Sequence, residues 1–177
     1  MRIWRLKIGT HLKQIKYNTM ANNCYDWIQV YGDNLTKAKT MIEEALKENK
    51  NGYGWLPKGL ENELDYPHYL FDIEITDETP EEIKFFCWTK WAPPIEELKH
   101  ISLMCEGTEW HCQYEECGMG LYGRVIVMGG KVMSHIYLND EDLQRLSEDE
   151  DGNTLFDGKI VDGDSECIEE MLDKKLN

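Results

Sequence analysis

The cysteines and histidines are the side chains of this sequence best suited to metal or nucleophile chemistry, but their spacing favours neither. The cysteines stand at positions 24, 87, 105, 112, 117 and 167, without the C-x-x-C pair common in structural zinc sites. His111 and Cys112 are adjacent, so on a strand they point to opposite faces. A nucleophilic cysteine also needs a nearby general base, and the sequence does not indicate one next to any particular cysteine. We therefore predict reduced thiols, no bound metal, no cofactor and a protein that is not an enzyme.

The acidic segment around Gly152 has the oxygen ligands that calcium prefers, but in the wrong order. An EF-hand loop needs an acidic residue at its first position, glycine at its sixth and glutamate at its twelfth. With Gly152 at the sixth position, the first is Ser147 and the twelfth is Gly158. We therefore interpret this segment as a solvated acidic loop.

Exposed aromatic and polar side chains are the remaining candidates for a functional surface. Trp88, Lys90 and Trp91 could stack on nucleic-acid bases from a sheet face. The net charge of −15, however, opposes binding to nucleic acid and to anionic membranes, and no apolar run approaches the ~20 residues of a membrane span. Solubility alone is also a sufficient reason for this charge. The predicted binding surface comprises Trp55, Trp88, Lys90, Trp91, His111 and Glu115.

Hydrophobic periodicity predicts an α+β fold from its alternating strand and helix patterns. The strand at 82–91 is apolar on both faces and should be central, with Trp91 on the side of Phe85. Tyr69, Phe71, Ile73 and Ile75 should share a face of the preceding strand. The order strand, helix, strand, strand, helix, strand is that of the ferredoxin-like βαββαβ sandwich. In sequence order, these elements occupy about 25–32, 35–50, 69–76, 82–91, 95–105 and 110–114.

Further segments flank this unit. Gly129-Gly130 between two apolar runs predicts a hairpin that extends the antiparallel sheet. Residues 139–177 form an acidic C-terminal extension with short helices, expected to pack on the domain, while residues 20–138 form the domain itself. Residues 1–19 carry five Lys or Arg and no acid, and we predict a disordered basic extension, with Met20 as an alternative start. The loop at 51–68 is rich in Gly, Pro and aromatic residues and could cover a ligand pocket.

Two short motifs resemble those of the YubB-type ferredoxin-like domain family. The segment T-x-W-x-P-P begins at Thr89, and Y-E-x-x-G-x-G-L-x-G runs from Tyr114 to Gly123. The opening at Met20 is also similar, although Asn23 stands where the family commonly has tryptophan. The resemblance covers residues 20–138. It implies a ferredoxin-like fold in a bacterial, phage or plasmid protein of a family without an established activity.

These observations leave three hypotheses about function. The leading one is a cytoplasmic, non-enzymatic accessory protein of a bacterial mobile element that binds another protein, with a basic protein as the candidate partner. The second is a small-ligand-binding protein or enzyme with a pocket beneath the 51–68 loop. The third is an acidic mimic of nucleic acid that inhibits a DNA-binding protein of the host. The sequence names no partner and does not determine the oligomeric state.

Overall fold

An antiparallel sheet with two helices on one face organises the chain. The computed structural model describes residues 22–50 and 52–176, and the predicted extension at 1–19 lies outside them. The sheet strands are β1 Asn23–Gly32, β2 Phe71–Glu78, β3 Glu82–Lys90, β4 Thr108–Glu116, β5 Leu121–Met128 and β6 Lys131–Tyr137. The other elements are α1 Leu35–Asn49, α2 Ile95–Met104, α3 Asp140–Leu143, β7 Leu146–Glu148, β8 Thr154–Phe156, β9 Lys159–Ile160 and α4 Ser165–Lys175.

The strand order confirms the predicted fold. The sheet runs β2-β3-β1-β4-β5-β6, and every neighbouring pair is antiparallel. In the first four strands, each helix connects two parallel strands that are not adjacent, which is the split βαβ arrangement of ferredoxin-like domains. The β5–β6 hairpin then extends one edge, as predicted. β3 lies between β2 and β1, which explains why it is apolar on both faces.

The main core lies between the sheet and the helices α1 and α2. Ala38, Met41, Ile42 and Ala45 form the buried stripe of α1. Leu98 and Ile101 of α2 join the same cluster, and their three-residue spacing places them on one helix face. Ile28, Ile73 and Phe85 of the sheet belong to the same cluster.

A bulge near the start of β2 corrects the predicted face of Phe71. The pairing with β3 shifts between Phe71 and Glu74, and Asp72 adopts φ +47°. Because an extra residue reverses the alternation of faces, Phe71 and Ile73 point to opposite sides. Ile73 is buried in the main core, whereas Phe71 stacks on Trp88 on the other side of the sheet.

The turn between β5 and β6 follows directly from its two glycines. Gly129 and Gly130 have φ of +53° and +77°. A two-residue hairpin turn whose twist matches the strands needs positive φ at both positions, which glycine adopts without steric cost. Sequence patterning therefore located this hairpin correctly.

The C-terminal residues form a second layer on the opposite side of the sheet from α1 and α2. Asn139 and Asp142 close a capping box at the start of α3. The helix α4 buries Ile168, Met171 and Leu172 against Tyr122 and Leu138. This helix therefore covers the sheet at β5 and β6. Partly buried side chains complete this second cluster, namely Ile136, Leu143, Leu146 and Phe156.

Candidate interaction face

The sheet side opposite α1 and α2, here called the open face, carries a row of half-buried aromatic rings. Cross-strand neighbours share a face, so the pairs Trp27–Phe86 and Phe71–Trp88 lie together. The Tyr25 and Phe86 rings stack with centroids 6.1 Å apart, and Trp27 approaches Phe86 to 5.7 Å. We call these residues the aromatic stripe: Tyr25, Trp27, Phe71, Phe86 and Trp88.

Trp88 is fixed within the stripe by its neighbours. Its ring stacks on Phe71 with centroids 4.3 Å apart and planes 13° apart. Its Nε1 donates a hydrogen bond to Asp72 Oδ2 at 2.8 Å. Lys90 Nζ lies 5.7 Å from the centroid of the Phe71 ring, within the range of a cation–π contact. The indole N–H is therefore engaged, and the accessible part of Trp88 offers an apolar surface.

Trp91 does not follow the predicted alternation of β3. The strand ends at Lys90, and Trp91 adopts φ +74°, a conformation that is rare for a bulky residue. Its backbone N–H donates to Asn22 O at 2.8 Å, which holds the turn at the start of β1. The side chain is 57% exposed instead of joining Phe85 in the core. The Trp91 turn thus exposes a large aromatic side chain to solvent, and its backbone conformation is strained.

The helix α4 limits the open face on the β5 side. Arg124 is 3% exposed. Its Nη2 donates to Glu169 Oε2 at 2.5 Å and its Nη1 to Asp173 Oδ1 at 2.6 Å. Gln113 on β4 also donates to Glu169. These contacts attach α4 to the sheet and leave β3, β1 and part of β4 uncovered by this helix.

Glu115 lies in a small cleft between the aromatic stripe and α4. Trp27, Tyr122, Ser165 and Glu169 are among the lining residues. Burial, together with the nearby charges of Asp164 and Glu169, raises the pKa of Glu115 to about 6. Within the described residues, no hydrogen bond or ion pair joins Glu115 to another side chain. The cleft is therefore acidic on one side and aromatic on the other.

His111 occupies the same open face, nearer the other end of β4. Its Nε2 contacts Glu109 Oε1, and its ring meets Tyr31 edge-on at 5.1 Å. The side chain is only 14% exposed. His111 is thus held in place by neighbours on the sheet and contributes little accessible surface.

Trp55 differs from the expectation that it belongs to this surface. It is 9% exposed and packs in the main core, on the helix side of the sheet. Reciprocal backbone hydrogen bonds to Leu70, of 2.8 and 3.0 Å, hold it there. Together with the buried Leu60, it fills space beneath the loop that was predicted to cover a ligand pocket. Tyr53 and Tyr66 of that loop are instead 71% and 87% exposed.

The cysteines lack the environment of reactive thiols. Burial raises the pKa of all six thiols above the ordinary value, whereas a nucleophilic cysteine needs a lowered pKa. Across residues 22–50 and 52–176, no cluster of three or more His, Cys, Asp or Glu side chains is arranged to hold a metal ion. The chemistry available at the open face is thus apolar contact, stacking and charge attraction.

The sequence reasoning missed most of the aromatic stripe. Alternation along each strand did not by itself bring the rings of Trp27 and Phe86 together. The pairing of β1 with β3 does so, and this pairing follows from the ferredoxin-like order. Applying that order to the alternation would have identified Tyr25, Trp27 and Phe86 as neighbours of Trp88.

Comparisons with known proteins support the fold and define a family. No curated protein and no solved structure gives a significant match to the chain. In the part of the chain that the structure describes, none of the helices is long and apolar enough to cross a membrane. Residues 70–168, more than half of the chain, match the family described as the ferredoxin-like domain in Api92-like protein. The chain therefore belongs to the family of ferredoxin-like domains found in Api92-like proteins.

Proposed function

We propose that this protein is a non-enzymatic accessory protein that binds another protein through its open face and the Trp91 turn at the end of β3. The observation that carries the proposal is Trp91, which is 57% exposed and held at φ +74° at the end of β3. Backbone strain of this kind costs about 1–3 kcal/mol and is concentrated at functional sites. Exposed tryptophan is also among the residues most enriched in binding hot spots.

The charge of the open face supports a partner with a basic surface. Glu74 and Glu82 pair across strands with residues of the open face, although Glu82 forms an ion pair with Lys84, and Glu115 lies without a cation beside the stripe. The chain carries 34 acidic and 19 basic residues, so a positively charged partner is attracted at long range. Lys90 lies over Phe71 and neutralises only part of this charge. Apolar rings surrounded by carboxylates suit a surface rich in Lys and Arg.

The origin and location of the protein are part of the same proposal. The motifs at Thr89 and Tyr114 resemble YubB-type domains, which occur in bacteria and in their phages and plasmids. We therefore assign the protein to a bacterial mobile element and place it in the cytoplasm. The pocket hypothesis for the 51–68 loop receives less support, because Trp55 and Leu60 fill the space beneath the loop.

Site-specific photocrosslinking tests the proposed binding. A photoreactive phenylalanine analogue at position 91 should capture a defined protein in the native cells, whereas the same analogue at position 66 should not. Tyr66 is a suitable control because it is more exposed than Trp91 but lies in the loop. The captured partner is then purified, and its binding is measured with the variants Trp91→Gly and Tyr66→Gly. Trp91→Gly should weaken binding at least tenfold, while Tyr66→Gly should leave it unchanged.

The salt dependence of the association rate tests the charge of the partner. Association with a basic partner should slow as salt increases, because the Debye length falls to about 8 Å at physiological ionic strength.

Equal crosslinking at positions 91 and 66, or binding unaffected by Trp91→Gly, would contradict the proposed face. If the partner binds DNA and DNA competes with this protein, the acidic surface acts as a mimic of nucleic acid.

A further inference from the structure

The two edges of the sheet differ sharply in charge. β2 forms one edge and exposes four acidic side chains, which are Asp72, Glu74, Asp77 and Glu78. β6 forms the other edge, and the whole segment 117–139 contains neither Asp nor Glu. An edge strand presents unpaired backbone N–H and C=O groups, and charged side chains are a common means of preventing other chains from pairing with it. The β2 edge has this protection, whereas the β6 edge lacks it.

The β6 edge also exposes an apolar surface. Val132, Met133 and Tyr137 are 41%, 56% and 56% exposed, and Leu103 of α2 is 59% exposed beside the Gly129–Gly130 turn. The pairing of β5 with β6 shifts between Ile126 and Val127, so Met133 is an additional residue in the bulge. Such a bulge redirects a side chain, and here it accompanies an exposed methionine. We call these four residues the edge patch.

We propose that the β6 edge pairs with β6 of a second copy of this chain, so that two sheets join across a two-fold axis. A two-fold interface places the same surface on both partners, so the patch must be complementary to itself. β6 meets this condition because it has no acidic side chain, and Lys131 and His135 are its only basic ones. Two β2 edges would instead bring four carboxylates on each side into close contact.

The distribution of charge favours a second copy of this chain over a basic partner at the β6 edge. A chain with a net charge of −15 repels its own copy over most of its surface. This electrostatic repulsion is weakest where acidic side chains are absent. A basic partner, as proposed for the open face, finds no electrostatic attraction at an edge without carboxylates. The edge patch therefore fits a second copy of this chain, on a surface separate from Trp91.

Sedimentation equilibrium across a wide range of protein concentrations tests the proposal. Wild-type protein should show a reversible monomer–dimer equilibrium that becomes tighter in high sodium chloride, because salt screens the repulsion between two acidic chains. This dependence is opposite in sign to that expected for a basic partner. Val132→Glu and Met133→Glu should weaken dimerisation at least tenfold. Ile160→Glu, which alters a side chain 67% exposed in β9, should leave it unchanged.

Hydrogen exchange locates the interface independently of the variants. Amides of residues 131–137 should become more protected as the wild-type concentration rises, while those of β2 should not. A monomer at every concentration and salt would overturn the proposal, as would a dimer that forms without protection of β6. The proposal would also be overturned if Val132→Glu and Met133→Glu dimerised as tightly as wild type while retaining its circular dichroism. The same holds if a different protein were found paired along this edge.

Discussion

Asp26 and Thr89 share a buried hydrogen bond, in which the carboxyl group can accept from the threonine hydroxyl or, when protonated, donate to it. Thr89 Oγ1 lies 2.9 Å from Asp26 Oδ2 and 2.7 Å from the carbonyl oxygen of Ala92. A hydroxyl group has a single proton, and the carbonyl can only accept. If Thr89 donates to Ala92, Asp26 must supply the proton for the other contact. Asp26 is 0% exposed, and burial raises its pKa well above the ordinary value.

This arrangement predicts that the protein loses stability as pH rises. The folded state retains the Asp26 proton above the pKa of an unfolded aspartate, about 3.9, so over that range the native state binds more protons than the unfolded state. Stability therefore falls with increasing pH until the folded pKa is reached. Asp26→Asn should be more stable than wild type at neutral pH, because the neutral amide needs no proton to be buried.

Chemical denaturation at several pH values measures this effect, with the exposed Asp65→Asn as the control. The advantage of Asp26→Asn should shrink as pH falls through about 4 and disappear near about pH 3, where the wild-type carboxyl is largely protonated in both the folded and the unfolded state. A variant less stable than wild type at every pH, without any change in the pH slope, would show that Asp26 is ionised in the native state.

His68 and Glu97 join the 51–68 loop to α2. The backbone N–H of His68 donates to Glu97 Oε1 at 2.5 Å, and the ring Nδ1 lies 3.3 Å from the same oxygen. This contact with Glu97 raises the pKa of His68. A raised histidine pKa adds stability below the unfolded value of about 6.5, and that stability is lost as pH rises through the folded pKa. His68→Ala should therefore destabilise the protein more in mild acid than in mild alkali.

Exchange of the amides at 63–70, compared between wild type and variant at both pH values, measures the release of the loop. His100→Ala is a matched control, since His100 also faces a loop carboxylate, with Nδ1 3.3 Å from Glu63 Oε2. That glutamate is 63% exposed, so its contact should contribute little. An effect of His68→Ala that is equal at both pH values would exclude the ion pair as its cause.

Leu98 is the apolar anchor of α2. It is 0% exposed in the main core. Leu98→Ala removes buried methyl groups and leaves a cavity, so it should lower the free energy of unfolding by ~2–5 kcal/mol. Met104→Ala, on the same helix but 42% exposed, should change it by less than about 0.5 kcal/mol. Similar denaturation midpoints for the two variants would mean that the buried face of α2 is assigned incorrectly.

Arg124 attaches α4 to the sheet. Its carboxylate partners Glu169 and Asp173 are 29% and 56% exposed. Arg124→Leu should cost roughly 1–3 kcal/mol, less than for a fully buried ion pair, because solvent screens both partners. Amide exchange along α4 should rise well before global unfolding. Lys174→Ala, which breaks an exposed pair within α4, should leave this exchange near that of wild type. Unchanged protection of α4 in Arg124→Leu would contradict this role.

The sequence was most informative where structure depends on near neighbours. The stripe of α1, the Gly129-Gly130 turn and the Asn139 cap all follow from local periodicity or from the conformational demands of a few adjacent residues. The alternation of β3, apolar on both faces, also predicted its central place. The order of these elements was then sufficient for the ferredoxin-like fold.

Only the tertiary structure decided which side chains reach the surface. The bulge at Asp72 and the left-handed turn at Trp91 each break the alternation that had assigned Phe71 and Trp91 to the core side. Periodicity assumes a regular backbone, so it cannot anticipate an extra residue or a reversal set by pairing with a distant strand. The same is true of Asp26: local sequence gave no sign that its carboxyl lies beneath Thr89, because a contact across 63 positions exists only once β1 and β3 pair.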